Sequence, residues 1–195
     1  MKRIGVAVCA LIFIASSTIA FTDGFSNITE LLTGFEEVPA LSTPGNGEFR
    51  ATISSDEKEI QYELFYRDLE SPVQQAHIHI GNTSVNGGIS VFLCTNLGNG
   101  PVGTQPCPPS PATIHGTIRA ADVSPNIAST AAARAQGLDT GEMAELIRAI
   151  RAGATYVNVH TTNRAGGEIR SQIRDHGDHE EDDGGIGATP PDSDD

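Results

Sequence analysis

The stretch 49-FRATISSDEKEIQYELFY-66 decides the fold. Phe49, Ala51 and Ile53 alternate with polar residues, and after the polar turn 55-SDEKE-59 the alternation resumes as Ile60, Tyr62, Leu64 and Tyr66. A period of two puts each apolar set on one face of an extended chain, so the stretch reads as a hairpin of two half-buried strands. Similar short runs, bounded by Gly, Pro, Asn and Asp, recur at 73-VQQAHIHI-80, 89-ISVFLC-94, 113-TIHGTIR-119, 155-TYVNVHT-161 and 167-GEIRSQI-173, with an opening strand near 28-ITELLTGFEEV-38.

Two segments break this pattern. In 124-SPNIASTAAARAQG-137, Ser124 suits a helix cap, Pro125 the first helical position and Gly137 the end. In 140-TGEMAELIRAIRAG-153, Met143, Leu146, Ile147 and Ile150 fall on one helical face and Gly153 stops the helix, which is expected to pack Leu146 and Ile150 on one end of the sheet. The expected fold is all-β: an antiparallel, Greek-key-like sandwich or flattened barrel of about eight strands with one or two short helices.

The chain ends bracket this domain. Met1-Lys2-Arg3, the apolar run 4-IGVAVCALIFIA-15 and the small residues Thr18 and Ala20 follow the order of a secretory signal, with cleavage expected after Ala20. About a dozen apolar residues fall short of the roughly 20 needed to span a bilayer, so no stable membrane insertion is expected after cleavage. The expected organisation is a signal at 1–20, one domain at 21–174 and a disordered tail at 175–195, whose nine acidic residues face no Lys or Arg. The expected location is the cell envelope or the exterior.

Without the signal the chain carries ten Lys and Arg against 25 Asp and Glu, a net charge of −15. Such a balance argues against nucleic acid and leaves an extracellular protein or glycan as the expected kind of partner. The two remaining cysteines, Cys94 and Cys107, form an even pair in an exported chain and are expected to form a disulfide across the Gly- and Pro-rich segment 98-GNGPVGTQPCPPSP-111.

Strand parity places the histidines. Ala76, Ile78 and Ile80 share the core face of their strand, so His77 and His79 share the opposite one. By the same count His115 lies opposite Ile114 and Ile118, and Tyr156, Asn158 and His160 lie opposite Val157 and Val159. A His-x-His pair on a strand projects two imidazoles from one surface, and a third histidine from a neighbouring strand would complete a site for one Cu or Zn ion. His160 is the first choice for that third ligand and His115 the second. The alternative is a hydrogen-bonded polar network on an exposed sheet face. No catalytic residues emerge: the chain lacks a Gly-x-Ser-x-Gly turn, a phosphate-binding glycine loop and a distinguishable carboxylate pair.

Three segments, 32-LTGFEEVPA-40, 76-AHIHIG-81 and 156-YVNVHTTNRAGGEIRSQI-173, together resemble the CHRD domain, the module repeated in chordin and found singly in exported microbial proteins. Ala40 and Ser171 depart from the family's Pro and Gly. The motif positions include Glu37, Pro39, Asn158, Thr161, Glu168 and Arg170, and the resemblance implies an extracellular binding or structural module without a fixed set of catalytic residues. The His-x-His strand, a later histidine and the expected intraloop disulfide are also similar to the copper–zinc superoxide dismutase pattern, although that family's zinc-loop aspartate and histidines have no counterparts. This implies a barrel, and as the alternative function a histidine-site metal-binding protein. The motif residues further suggest that Arg170 pairs with Glu36 or Glu37, and that Asn158 and Thr161 satisfy backbone groups at a strand end.

Overall fold

The computed structural model describes residues 26–175; the expected signal peptide and nearly all of the acidic tail lie outside them. Eight strands form one antiparallel sheet: β1 (Ser26–Thr33), β2 (Asn46–Ile53), β3 (Glu59–Arg67), β4 (Val73–Ile80), β5 (Gly88–Thr95), β6 (Ala112–Arg119), β7 (Thr155–Thr161) and β8 (Ile169–Ile173). Their order is β5-β4-β7-β8-β1-β2-β3-β6, and the sheet curls into a nearly closed barrel. The hairpin read from 49–66 is β2–β3, with Phe49 opposite Leu64 and Ile53 opposite Ile60.

The alternating sets define the interior. Ile28, Leu32, Phe49, Ile53, Ile60, Leu64, Ile78, Leu93, Ile118, Val157 and Ile169 are all 2% exposed or less and belong to one contiguous core. At roughly 25 cal/mol per Å² of apolar surface removed from water, this core is the main stabilising term.

The edge strands β5 and β6 do not pair with each other. The segment between them lies across the resulting seam, tied by the Cys94–Cys107 disulfide. Gln105 Nε2 donates to Tyr62 Oη at 3.0 Å, to Leu93 O at 3.1 Å and to His115 O at 3.0 Å, so one side chain stitches β5, β3 and β6 together. Gly116 makes room for this: a Cβ there would meet the Tyr62 ring at 2.5 Å.

The helices are shorter than expected. In 124–137 only Ala131–Ala135 is α-helical (α1), after a 3-10 turn at Ala128–Thr130. Ser124 does not cap it; Ser124 is buried at φ 42°, and Thr130 Oγ1 and the Arg134 guanidinium bind the Pro125 carbonyl instead. These contacts with the loop override the Ser-Pro start signal. Helix α2 (Met143–Arg151) buries Met143, Leu146, Ile147 and Ile150 as its spacing predicts, and the chain leaves it through Gly153 at φ 63°. The opening strand ends at Thr33, where a 3-10 turn at Gly34–Glu36 takes over.

Candidate functional site

Strands β4 and β7 pair with His77 opposite Asn158, His79 opposite Tyr156 and Gln75 opposite His160. This register sets the three histidines side by side on the face of the sheet that points away from the apolar core, as parity requires. That face is not exposed here: His77 is 0% exposed and His79 and His160 are 6% exposed. The loop 81–87 and the turn after β7 fold over the face and supply the cover.

One ligand nitrogen from each of His77, His79 and His160 lies within 4.8 Å of the others. Two imidazoles are anchored by backbone carbonyls. His79 Nδ1 is 2.9 Å from Gly87 O, and His160 Nδ1 is 3.0 Å from Ala165 O. A carbonyl only accepts, so each of these nitrogens carries the proton and each ring turns its bare Nε2 the other way. His77 Nδ1 is 3.2 Å from His160 Nε2 and, against that bare acceptor, is the donor. The Nε2 atoms of His77 and His79 are then bare lone pairs, both buried with no partner in hydrogen-bond range, although the Asn158 side chain lies close enough to His79 to oppose the effect of burial on it. A buried polar group left unsatisfied costs about 1–3 kcal/mol.

Gly87 is essential to this anchoring because any Cβ there would strike the Ile80 carbonyl. Aromatic rings wall the cluster: Tyr156 stacks parallel on His79 with centroids 4.7 Å apart, and Phe92 meets His77 edge-on at 4.4 Å. Burial drives all three imidazoles toward neutrality. His79 is lowered to about 3, with the Gly87 carbonyl opposing, and His160 to about 4, with Ala165 opposing. His77 lies well below its ordinary value through burial and its two neighbouring histidines.

Glu37 is buried beside this layer, and burial pushes its carboxyl up to about 7 against the opposing pull of Arg170, the Val38 backbone and Asn158. Its Oε1 and Asn158 Oδ1 have no hydrogen-bond partner. Arg170 departs from expectation. Its charge acts on Glu37 and Glu36, but not through a contact-distance ion pair: it stacks on Tyr156, 3.4 Å above the ring centroid, and donates to Asn82 O at 3.2 Å and Val85 O at 3.1 Å. The carbonyls of the 82–87 loop turn inward and claim the guanidinium. Glu168 is fully buried just before β8, where it accepts from Thr43 Oγ1, the Glu70 amide and Thr161 Oγ1. Thr161 therefore serves a side-chain carboxylate, not the backbone at a strand end. Pro39 is exposed after a cis peptide bond, and the neighbouring Val38 carbonyl accepts from Asn86.

His115 does not join the cluster. It stands on β6, half exposed, with Nδ1 3.4 Å from Glu63. The sequence reading placed Tyr156 on this face without giving it a role, and it missed Gly87 and Ala165. Tyr156 was visible as the residue two before Asn158 on the same parity, whereas backbone carbonyls carry no side-chain signal.

A single-layer antiparallel barrel with a buried polar layer between β4, β7 and β8 defines the class of protein: a small β-domain carrying its most unusual chemistry outside its apolar core. The family model for the CHRD domain matches residues 28–173, all eight strands except the outermost residues of β1, and the chain belongs to that family. Neither the curated proteins nor the solved structures contain a significant match to it.

Proposed function

We propose that the chain works outside the cytoplasm as a CHRD binding module, with the disulfide-tied segment between β5 and β6 as its recognition surface for an extracellular protein or glycan. The observation that carries this reading is the seam itself. Over it the segment frames a hollow of about 320 Å³, lined in part by Tyr62, Phe92, Val102, Gln105 and His115. Val102 is fully exposed at its rim, and the bridge and the Gln105 bonds hold the loop in one shape. A preorganised loop loses little conformational freedom when it binds. A disulfide suits an oxidising compartment, and among the described residues no helix is long and apolar enough to cross a membrane.

The test begins with the protein recovered from its own host. The mature chain is expected to start at Phe21, to lie outside the cytoplasm and to weigh two hydrogens less than its reduced form. Its binding to isolated envelope protein or polysaccharide should be lost in a folded Val102→Asp variant. Recovery in the cytoplasm with both thiols open to alkylation, or undiminished binding by the variant, would overturn the reading.

A further inference from the structure

We propose that His77, His79 and His160 form a metal site that holds one copper or zinc ion, in the covered polar layer outside the barrel core. The argument rests on where the lone pairs point. Gly87 O and Ala165 O hold the Nδ1 protons of His79 and His160 and so leave both Nε2 atoms free as ligands. Carbonyls that orient ligating imidazoles in this way are the usual outer support of a metal centre. At metal–nitrogen bonds of 2.0–2.1 Å, two ligands of a tetrahedral ion lie roughly 3.3 Å apart. The 3.2 Å between His77 Nδ1 and His160 Nε2 already has that spacing.

One ligand nitrogen of each of the three histidines lies within 4.8 Å of the others, so a small inward movement of side chains on paired strands brings the set to bonding distance. On binding through Nδ1, the His77 proton moves to Nε2, the atom that now has no partner. His79 Nε2, buried with no partner in hydrogen-bond range, is the lone pair that an ion at this position would engage.

Three neutral imidazoles without a thiolate suit copper or zinc better than calcium or magnesium, which favour oxygen ligands. Glu37, buried nearby with an oxygen that has no hydrogen-bond partner, is the carboxylate best placed to offset the ion's charge.

The test uses the full mature chain, stripped with a chelator and loaded separately with Zn²⁺, Cu²⁺ and, under ascorbate, Cu⁺. After dialysis against a weak chelator, elemental mass spectrometry should find one equivalent of copper or of zinc per chain. X-ray absorption should show nitrogen ligands with imidazole scattering, and an electron paramagnetic resonance signal separates Cu²⁺ from the silent Cu⁺ and Zn²⁺. His79→Gln and His160→Gln, close to the wild type in volume, should lose the metal, while His115→Ala and a His176→Ala/His179→Ala tail variant should keep it. If the glutamine variants fail to fold, the metal-dependent rise in the melting temperature of the wild type, with its imidazole scattering, decides. The proposal is overturned if the wild type retains no stoichiometric ion, or if the ion survives in a folded His79→Gln variant and disappears with the tail histidines.

Discussion

Glu37 and the three histidines are ionisable groups buried in one layer, and their pH dependences run in opposite directions. In the metal-free protein each histidine has a folded pKa below its ordinary 6.5. Below pH 6.5 the unfolded chain takes up protons that the folded chain refuses, so stability falls as the pH drops from 6.5 toward 4. Glu37 behaves in reverse. Its carboxyl is raised from 4.5 to about 7, so between these values the unfolded chain has already released a proton that the folded chain retains, and stability falls as the pH rises. With three histidines against one carboxyl, thermal melts should show a lower melting temperature at pH 5 than at pH 7. Glu37→Gln should exceed the wild type at pH 8 by roughly 3 kcal/mol, and the advantage should shrink toward pH 5. An equal gap at both values would show that Glu37 is not held protonated by burial.

At the scale of elements, strand parity was legible and coverage was not. The alternation in 73–80 and 155–161 assigns His77, His79 and His160 to the non-core face, and the structure keeps them there. What the alternation could not convey is that this face is itself buried, because its cover comes from irregular segments whose contacts run through backbone atoms such as Gly87 O and Ala165 O. The direct contacts of Arg170 were hidden for the same reason: its charge acts on Glu36 and Glu37 as expected, but its hydrogen bonds go to the carbonyls of Asn82 and Val85. Arg170→Met should therefore cost about 3 kcal/mol, the scale of hydrogen bonds to a charged group, and should speed amide exchange across 82–87. Unchanged exchange there would remove the guanidinium from its role as clamp. The short α1 fails differently: Ser124 and Pro125 carry a start signal, but the loop they enter is fixed by Thr130 and Arg134. Helix α2, whose apolar stripe has a core to face, keeps its expected face and stop.

At the scale of the whole molecule, the barrel depends on closing the β5–β6 seam without a strand pair. Gly116→Ala should drive a methyl group into Tyr62 and disturb the Gln105 bonds, costing about 1–3 kcal/mol in denaturant titrations. The Cys94–Cys107 bridge closes a loop with a sequence separation of 13, so a Cys94→Ser/Cys107→Ser variant should lose about 3 kcal/mol, mainly through greater freedom of its unfolded chain. The eight strands and the bridge were readable because they rest on periodicity and cysteine count. The seam was not, because its closure depends on a single glutamine in a loop.

The most direct measurement is the protonation and tautomer of each histidine in the metal-free protein, read from long-range proton–nitrogen correlations by NMR across pH 5 to 8. His77, His79 and His160 should remain neutral throughout, with the proton of His79 and of His160 fixed on Nδ1. Titration of His79 or His160 near pH 6.5, or rings exchanging freely between tautomers, would contradict the account and return these histidines to an open, solvated sheet face.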